Sequence, residues 1–233
     1  MSGTVLLGLL GCGPRAERVH LPAVRALPSV RLTVAYDPSA ERRDSIARMA
    51  PGCRSVPSPE ALFETRAVDA VIVAAPLAKR ASLAVQSLGA GVPVLIDPPM
   101  AASTDEGLWI RDAERIARLP VMVGYNRRRW RPVEVVRQTL ASGPAEGEPA
   151  PAIESTILRR GEPGTGTGGE GGLDPALLAY LDIHLDLVRH LMGREIATVT
   201  ARRDPLEEVQ VQVTFHGGGT ASCRAGRAER AEI

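Results

Sequence analysis

The spacing Gly11-x-Gly13-x-x-Ala16, with Asp37 placed 21 residues beyond Ala16, is the arrangement in this chain with the most specific chemistry. An apolar run, residues 4–10, leads into it, and a stretch of helical character, residues 17–27, leads out, so the glycines occupy a strand-to-helix turn. In that setting glycine lets the chain turn tightly and lets a pyrophosphate approach the backbone, where the amides of a helix N-terminus point at it. Asp37 falls at the tip of the second apolar run, where a carboxylate accepts hydrogen bonds from an adenosine ribose diol. Gly11, Cys12, Gly13, Pro14 and Arg15 are therefore the expected cradle of a dinucleotide, NAD or NADP. The Asp37 carboxylate repels a 2′-phosphate and favours NAD, while Arg42 and Arg43 nearby keep NADP open.

A second group is Tyr180, Asp182 and His184, within a long helical stretch. His184 shares a stripe with Leu177, Leu181, Val188 and Leu191, so it is expected to face inward. A histidine there is either a satisfied core residue or an acid–base group, with Asp182 as competing acid and Tyr180 as competing phenol donor. The run Arg127-Arg128-Arg129-Trp130-Arg131 has the make-up of a nucleic-acid patch, but its arginines equally serve structure, solvent or the clamping of a substrate carboxylate. Cys12, Cys53 and Cys223 are odd in number and widely spaced, which points to reduced thiols and no metal site. Lys79, the only lysine, reads as a solvated helix residue.

The elements that must position these groups change character along the chain. Apolar runs at residues 4–10, 31–36, 68–75, 92–96 and 121–124 alternate with helical stretches at 17–27, 39–49, 78–89 and 105–118. Such alternation predicts a parallel sheet covered on both faces: an α/β, doubly wound Rossmann domain over residues 1–125. Residues 126–233 are expected to form a small α+β domain for substrate and dimerisation. Its predicted parts are a helix at 131–140, a breaker-rich link at 142–149, a strand at 152–159, a glycine-rich loop at 161–172 and a helix from Asp174-Pro175 to Met192. Strands at 196–202 and 208–216 and a glycine hairpin into 220–224 complete it.

The net charge of +1 implies no polyanionic partner, and no signal peptide or membrane-length apolar run stands out. A cytoplasmic protein with a small-molecule substrate, and with neither nucleic-acid nor membrane partner, is the expectation.

Several segments, in order, resemble the Gfo/Idh/MocA family of nicotinamide-dependent oxidoreductases. Val68-Asp69-Ala70-Val71-Ile72-Val73-Ala74-Ala75-Pro76 is similar to the family's strand ending in Thr-Pro, and Val94-Leu95-Ile96-Asp97-Pro98-Pro99 to the strand ending in Glu-Lys-Pro. Gly124-Tyr125-Asn126-Arg127-Arg128 resembles its Gly-Phe-Asn-Arg-Arg segment, and Asp186-Leu187-Val188-Arg189-His190-Leu191-Met192-Gly193 its active-site helix. The resemblance implies cofactor contacts at Ala75, Pro76 and Asp97, the last near the nicotinamide ribose. It implies substrate contacts at Tyr125 and Arg127.

Three departures bear on the chemistry. Pro98 stands where the family has its lysine, and a proline has no ionisable group. Ile183 stands where the family's helix has histidine, with His184 one residue later and Tyr180 one turn before it. After Val199 there is room for about three short strands, so the sheet is expected to be small or completed by another subunit in a homodimer. Loss of the lysine favours reduction of a carbonyl, imine or enone, with His184, Tyr180 or solvent giving the proton. The alternatives are a cofactor-binding protein without redox turnover, or a redox-neutral enzyme of biosynthesis.

Overall fold

The computed structural model describes residues 3–64, 68–143, 150–159, 175–203 and 208–227. It divides into two compact units, Met1–Gly124 and Tyr125–Ile233.

The first unit is a doubly wound parallel sheet. Its strands are β1 (Val5–Leu10), β2 (Val30–Tyr36), β3 (Arg54–Val56), β4 (Ala70–Val73), β5 (Val94–Ile96) and β6 (Val121–Val123), in the order β3-β2-β1-β4-β5-β6. That order reverses between β1 and β4, and ligands of open α/β sheets lie outside the strand carboxyl ends at such a reversal. The helices are α1 (Leu21–Arg25), α2 (Ala40–Met49), α3 (Pro59–Glu64), α4 (Leu77–Gly89) and α5 (Thr104–Ala117). One core, around Leu10, Val71, Val73, Ala84 and Leu88, fills one face; another, around Leu9, Ala16, Leu21, Ile46 and Ile72, fills the other. Burial on both faces is why these strands read as unbroken apolar runs. Each fully buried leucine contributes about 1.5–3 kcal/mol. Helix starts carry their own signals: Ser39 caps α2, and Ser103 caps α5 while Glu106 reaches back to the Ala102 N–H.

Two details differ from the sequence reading. The helix expected over residues 17–27 begins as a π-helical turn, Ala16–His20, and becomes α-helical only over Leu21–Arg25. Pro22, which lacks an N–H, sits at the start of α1 and interrupts the regular ladder there. β3 and α3, of three and six residues, were not anticipated; both are too short for a periodic pattern to show.

The second unit holds α6 (Arg131–Ala141), α7 (Pro175–Met192) and a four-stranded mixed sheet. That sheet is β7 (Ala152–Arg159), β8 (Ile196–Arg203), β9 (Val209–Phe215) and β10 (Thr220–Arg227), in the order β7-β10-β9-β8 with only the β7–β10 pair parallel. Leu181, Val188 and Met192 of α7 pack on Val209, Val211, Val213, Phe215, Ala221, Cys223 and Ala225. The three strands after residue 195 run to eight, seven and eight residues rather than being short. Met192 is buried and Leu191 only half-buried, which moves the end of the expected stripe by one residue. The glycine-rich stretch 161–172, Asp174 and the Leu177 side chain lie outside the described residues.

Candidate functional site

The glycine turn is built around a close backbone approach. Gly11 has φ +101°, and a Cβ placed on it would lie 2.7 Å from the Ala75 amide nitrogen and 2.8 Å from Ala74 C and Ala75 Cα. The β1 turn is thus pressed against the turn after β4, and only glycine fits. Gly13 is the opposite case, since a Cβ there would meet nothing within 4 Å. Its missing side chain leaves open space beside the backbone. Asp37 is buried just after β2 and ties the turn down: Oδ2 accepts from the Cys12 N–H at 2.9 Å and Oδ1 from the Ser39 N–H at 2.9 Å. Arg42 Nε lies 3.5 Å from Oδ1, and Arg43 Nη1 donates to the Asp37 carbonyl at 3.1 Å. Burial, then the Asp37 charge, pushes the Cys12 thiol up to about 12, so this cysteine is inert at neutral pH.

A second polar centre lies at the carboxyl end of β5. Asp97 is 2% exposed; its Oδ1 is 3.0 Å from His20 Nε2 and its Oδ2 2.8 Å from Arg15 Nε. The Arg15 contact is an ion pair without hydrogen-bond alignment, and Arg15 is itself 44% exposed. Burial opposes ionisation of Asp97, but the hydrogen bond and charge of His20, then the Arg15 guanidinium, outweigh it and hold the carboxyl below the usual carboxylate range. Arg80 secures the surrounding backbone, donating to the carbonyls of Ala75 (2.9 Å), Asp97 (3.1 Å) and Pro99 (2.7 Å). Pro98 occupies the next position, with a cis peptide bond to Pro99.

The second unit pairs the segment 125–128 with α7. The Tyr125 hydroxyl donates toward both Asp182 oxygens, each at 3.0 Å, and burial followed by the Asp182 charge pushes the phenol well above its ordinary range. Arg127 Nη1 lies 3.0 Å from His184 Nε2, and His184 Nδ1 hydrogen-bonds the Ser155 hydroxyl. A guanidinium can only donate, so Nε2 accepts, and the proton of a neutral imidazole sits on Nδ1, facing Ser155. Burial, then Arg127, lowers the His184 pKa and keeps that neutral form. Arg128 makes a two-pronged ion pair with Asp186, and the Arg127 and Arg128 guanidinium groups lie 5.5 and 5.3 Å from the Trp130 and Tyr125 ring centres.

The expected residues therefore fall into local pairs. Asp37 is joined to the glycine turn, Tyr125 to Asp182, and Arg127 to His184. Tyr180 is half-buried one turn before His184 and belongs to none of these pairs. Reasoning from sequence missed His20, Arg80 and Ser155. For His20 a signal existed, a histidine four residues beyond Ala16, but no spacing rule joins it to Asp97, 77 residues away. Among the described residues no three His, Cys, Asp or Glu side chains are placed to hold a metal ion, and no helix is long and apolar enough to cross a membrane.

Residues 5–125 match the Gfo/Idh/MocA model, described as an oxidoreductase family with an NAD-binding Rossmann fold. The chain belongs to this family. It is 30% identical over 216 residues to inositol 2-dehydrogenase 2 of Saccharopolyspora erythraea, covering 91% of this chain and 61% of that protein. It is 33% identical over 119 residues to the dTDP-3,4-didehydro-2,6-dideoxy-alpha-D-glucose 3-reductase of Streptomyces violaceoruber, covering 51% of this chain and 34% of the reductase. The fold also matches the WlbA dehydrogenase of Bordetella pertussis, solved with NADH and UDP-GlcNAcA, at TM-score 0.86 and 18% identity over 99% of this chain and 69% of that one. The chain thus spans about three fifths of the length of the inositol dehydrogenases it matches.

Proposed function

We propose that this chain is an NAD(P)-dependent oxidoreductase that reduces a carbonyl, imine or enone of a small polar molecule. The carrying observation is the glycine turn, where Gly11 is pressed on Ala75, Gly13 stands over open space and Asp37 is held behind them. That backbone fits a dinucleotide: Gly11, Cys12, Gly13, Pro14 and Arg15 cradle the pyrophosphate, Asp37 takes the ribose diol, and Ala75 and Pro76 border the ring end. Bound NAD(P)H supplies the hydride. Among the relatives, names with inositol and a keto sugar put polyhydroxylated ring ketones first among substrates.

Tyr125 and Arg127 are the residues we assign to substrate, backed by Asp182 and His184. His184 works in this reading as a neutral orienting group, because its Nε2 lone pair is taken by Arg127. Tyr125 keeps its proton and hydrogen-bonds through it. The test is consumption of NADH or NADPH with a panel of cyclic ketones, imines and enones. Turnover with any of them supports the reading, and none across the panel overturns it. Pro98 at the lysine position favours one rival, a protein that holds the cofactor without turnover, and saturable binding with no consumption would select it. We assign the exposed face of the second unit's sheet, including Gln212, Thr214 and Arg224, to pairing with a second copy. Sedimentation as a monomer at micromolar concentration would refute that assignment.

A further inference from the structure

Asp97 and His20 form a pair that the reading above does not use. Asp97 is almost wholly buried, while His20 keeps 13% of its side chain exposed. An ionised carboxylate can only accept, so the proton of this contact belongs to His20 Nε2. The other ring nitrogen, Nδ1, has no hydrogen-bond partner among the described residues and is not buried. The imidazole is thus held from behind by a buried carboxylate with its second nitrogen turned outward. This is the working arrangement of a general acid–base histidine oriented by an aspartate. Asp97 immediately precedes Pro98, the position of the family's lysine, at the carboxyl edge of the sheet where ligands of this architecture lie. Arg80 holds the carbonyls on both sides of Pro98, so the carboxylate stands on a fixed backbone.

We infer that His20, positioned by Asp97, handles the proton that Pro98 cannot. This rests on the oxidoreductase reading. When a carbonyl is reduced, hydride from NADH bonds to its carbon and the π pair moves to its oxygen. That oxygen takes the proton from Nδ1 of the His20 imidazolium. NADH is oxidised to NAD⁺, and the neutral imidazole regains a proton from solvent. Asp97 is the positioning residue: it keeps a proton on Nε2 and so leaves Nδ1 as the nitrogen that exchanges. Arg15, on the far oxygen of Asp97, balances the carboxylate and fixes its orientation.

Imidazole-detected proton–nitrogen NMR of the ligand-free wild-type protein tests the pair without relying on activity. The expected result is that neutral His20 carries its proton on Nε2, and that Asp97→Asn shifts the tautomer population toward Nδ1–H. A neutral wild-type His20 carrying its proton on Nδ1, or a tautomer population that Asp97→Asn leaves unmoved, overturns the proposal. With a turned-over substrate, His20→Gln should lower kcat by about 10²–10⁴-fold and leave the Kd for NADH unchanged. An unchanged kcat, or kcat and cofactor affinity lost together, overturns it. Failure of the wild-type protein to bind either dinucleotide would instead sink the oxidoreductase reading, and the NMR result would stand apart from it.

Discussion

Gly11 and Gly13 share one motif, but the structure assigns them opposite burdens, and alanine at each position separates them. Gly11→Ala forces a Cβ to 2.7 Å from the Ala75 nitrogen, against backbone that cannot swing aside, at a φ of +101°. A left-handed backbone costs an L residue roughly 1–2 kcal/mol, and overpacking typically adds about 1–3. Together these predict a loss of about 2–5 kcal/mol, a large part of the roughly 5–15 kcal/mol that holds an ordinary domain together. Gly13→Ala meets no atom within 4 Å and its φ lies outside the left-handed range. It should leave stability unchanged or raise it by about 0.4–1 kcal/mol through the unfolded chain. It should nevertheless weaken NADH binding at least tenfold, about 1.4 kcal/mol, by filling the space beside the pyrophosphate. Urea unfolding followed by circular dichroism, paired with calorimetric titration of NADH, measures both effects. Equal stability losses in the two variants, or full cofactor affinity in Gly13→Ala, would refute the reasoning.

Three further outcomes follow from the geometry. Arg128→Leu leaves the Asp186 carboxylate, 8% exposed, without its partner; because Arg128 is itself 38% exposed, the loss is about 1–3 kcal/mol, and adding Asp186→Asn in a double-mutant cycle should recover part of it. His184 is held neutral in the folded state with its pKa below the ordinary 6.5, so protonation favours the unfolded chain and stability should fall as pH drops below 6.5; urea midpoints at mildly acid and neutral pH should show the slope, and His184→Gln should reduce it. Asp37→Asn removes an acceptor from one of two backbone N–H groups, costing about 1–3 kcal/mol, and removes the charge facing a 2′-phosphate beside Arg42. Its NADH-to-NADPH affinity ratio should therefore shift toward NADPH, as competitive titration would show.

The parts of the fold that sequence reveals are those with long, repeated patterns. The first unit's main strands are buried on both faces, so each shows as an apolar run. β3 and α3 escaped because each is little more than a turn long, and the π-helical turn escaped because it depends on how Pro22 breaks the ladder. At the site, Asp37 is legible because its distance from the glycine turn follows from one strand–helix–strand unit. The His20–Asp97 pair joins the end of the π-helical turn to the residue after β5, 77 residues apart, and Ser155 meets His184 only because β7 lies beside α7. Such contacts follow from sheet order and packing, which no local spacing encodes. The same holds for the His184 tautomer, which is set by Arg127 and Ser155 rather than by the helix that carries it.

Titration of the wild-type protein with NADH and with NADPH, followed by calorimetry, tests the central claim most directly. Saturable one-to-one binding in the range of about 1 μM to 1 mM typical of enzyme ligands, lost in Gly13→Val while the unfolding midpoint holds, is the result this geometry predicts. Absence of binding by either dinucleotide to folded wild-type protein, or equal binding by the Gly13→Val variant, would contradict it.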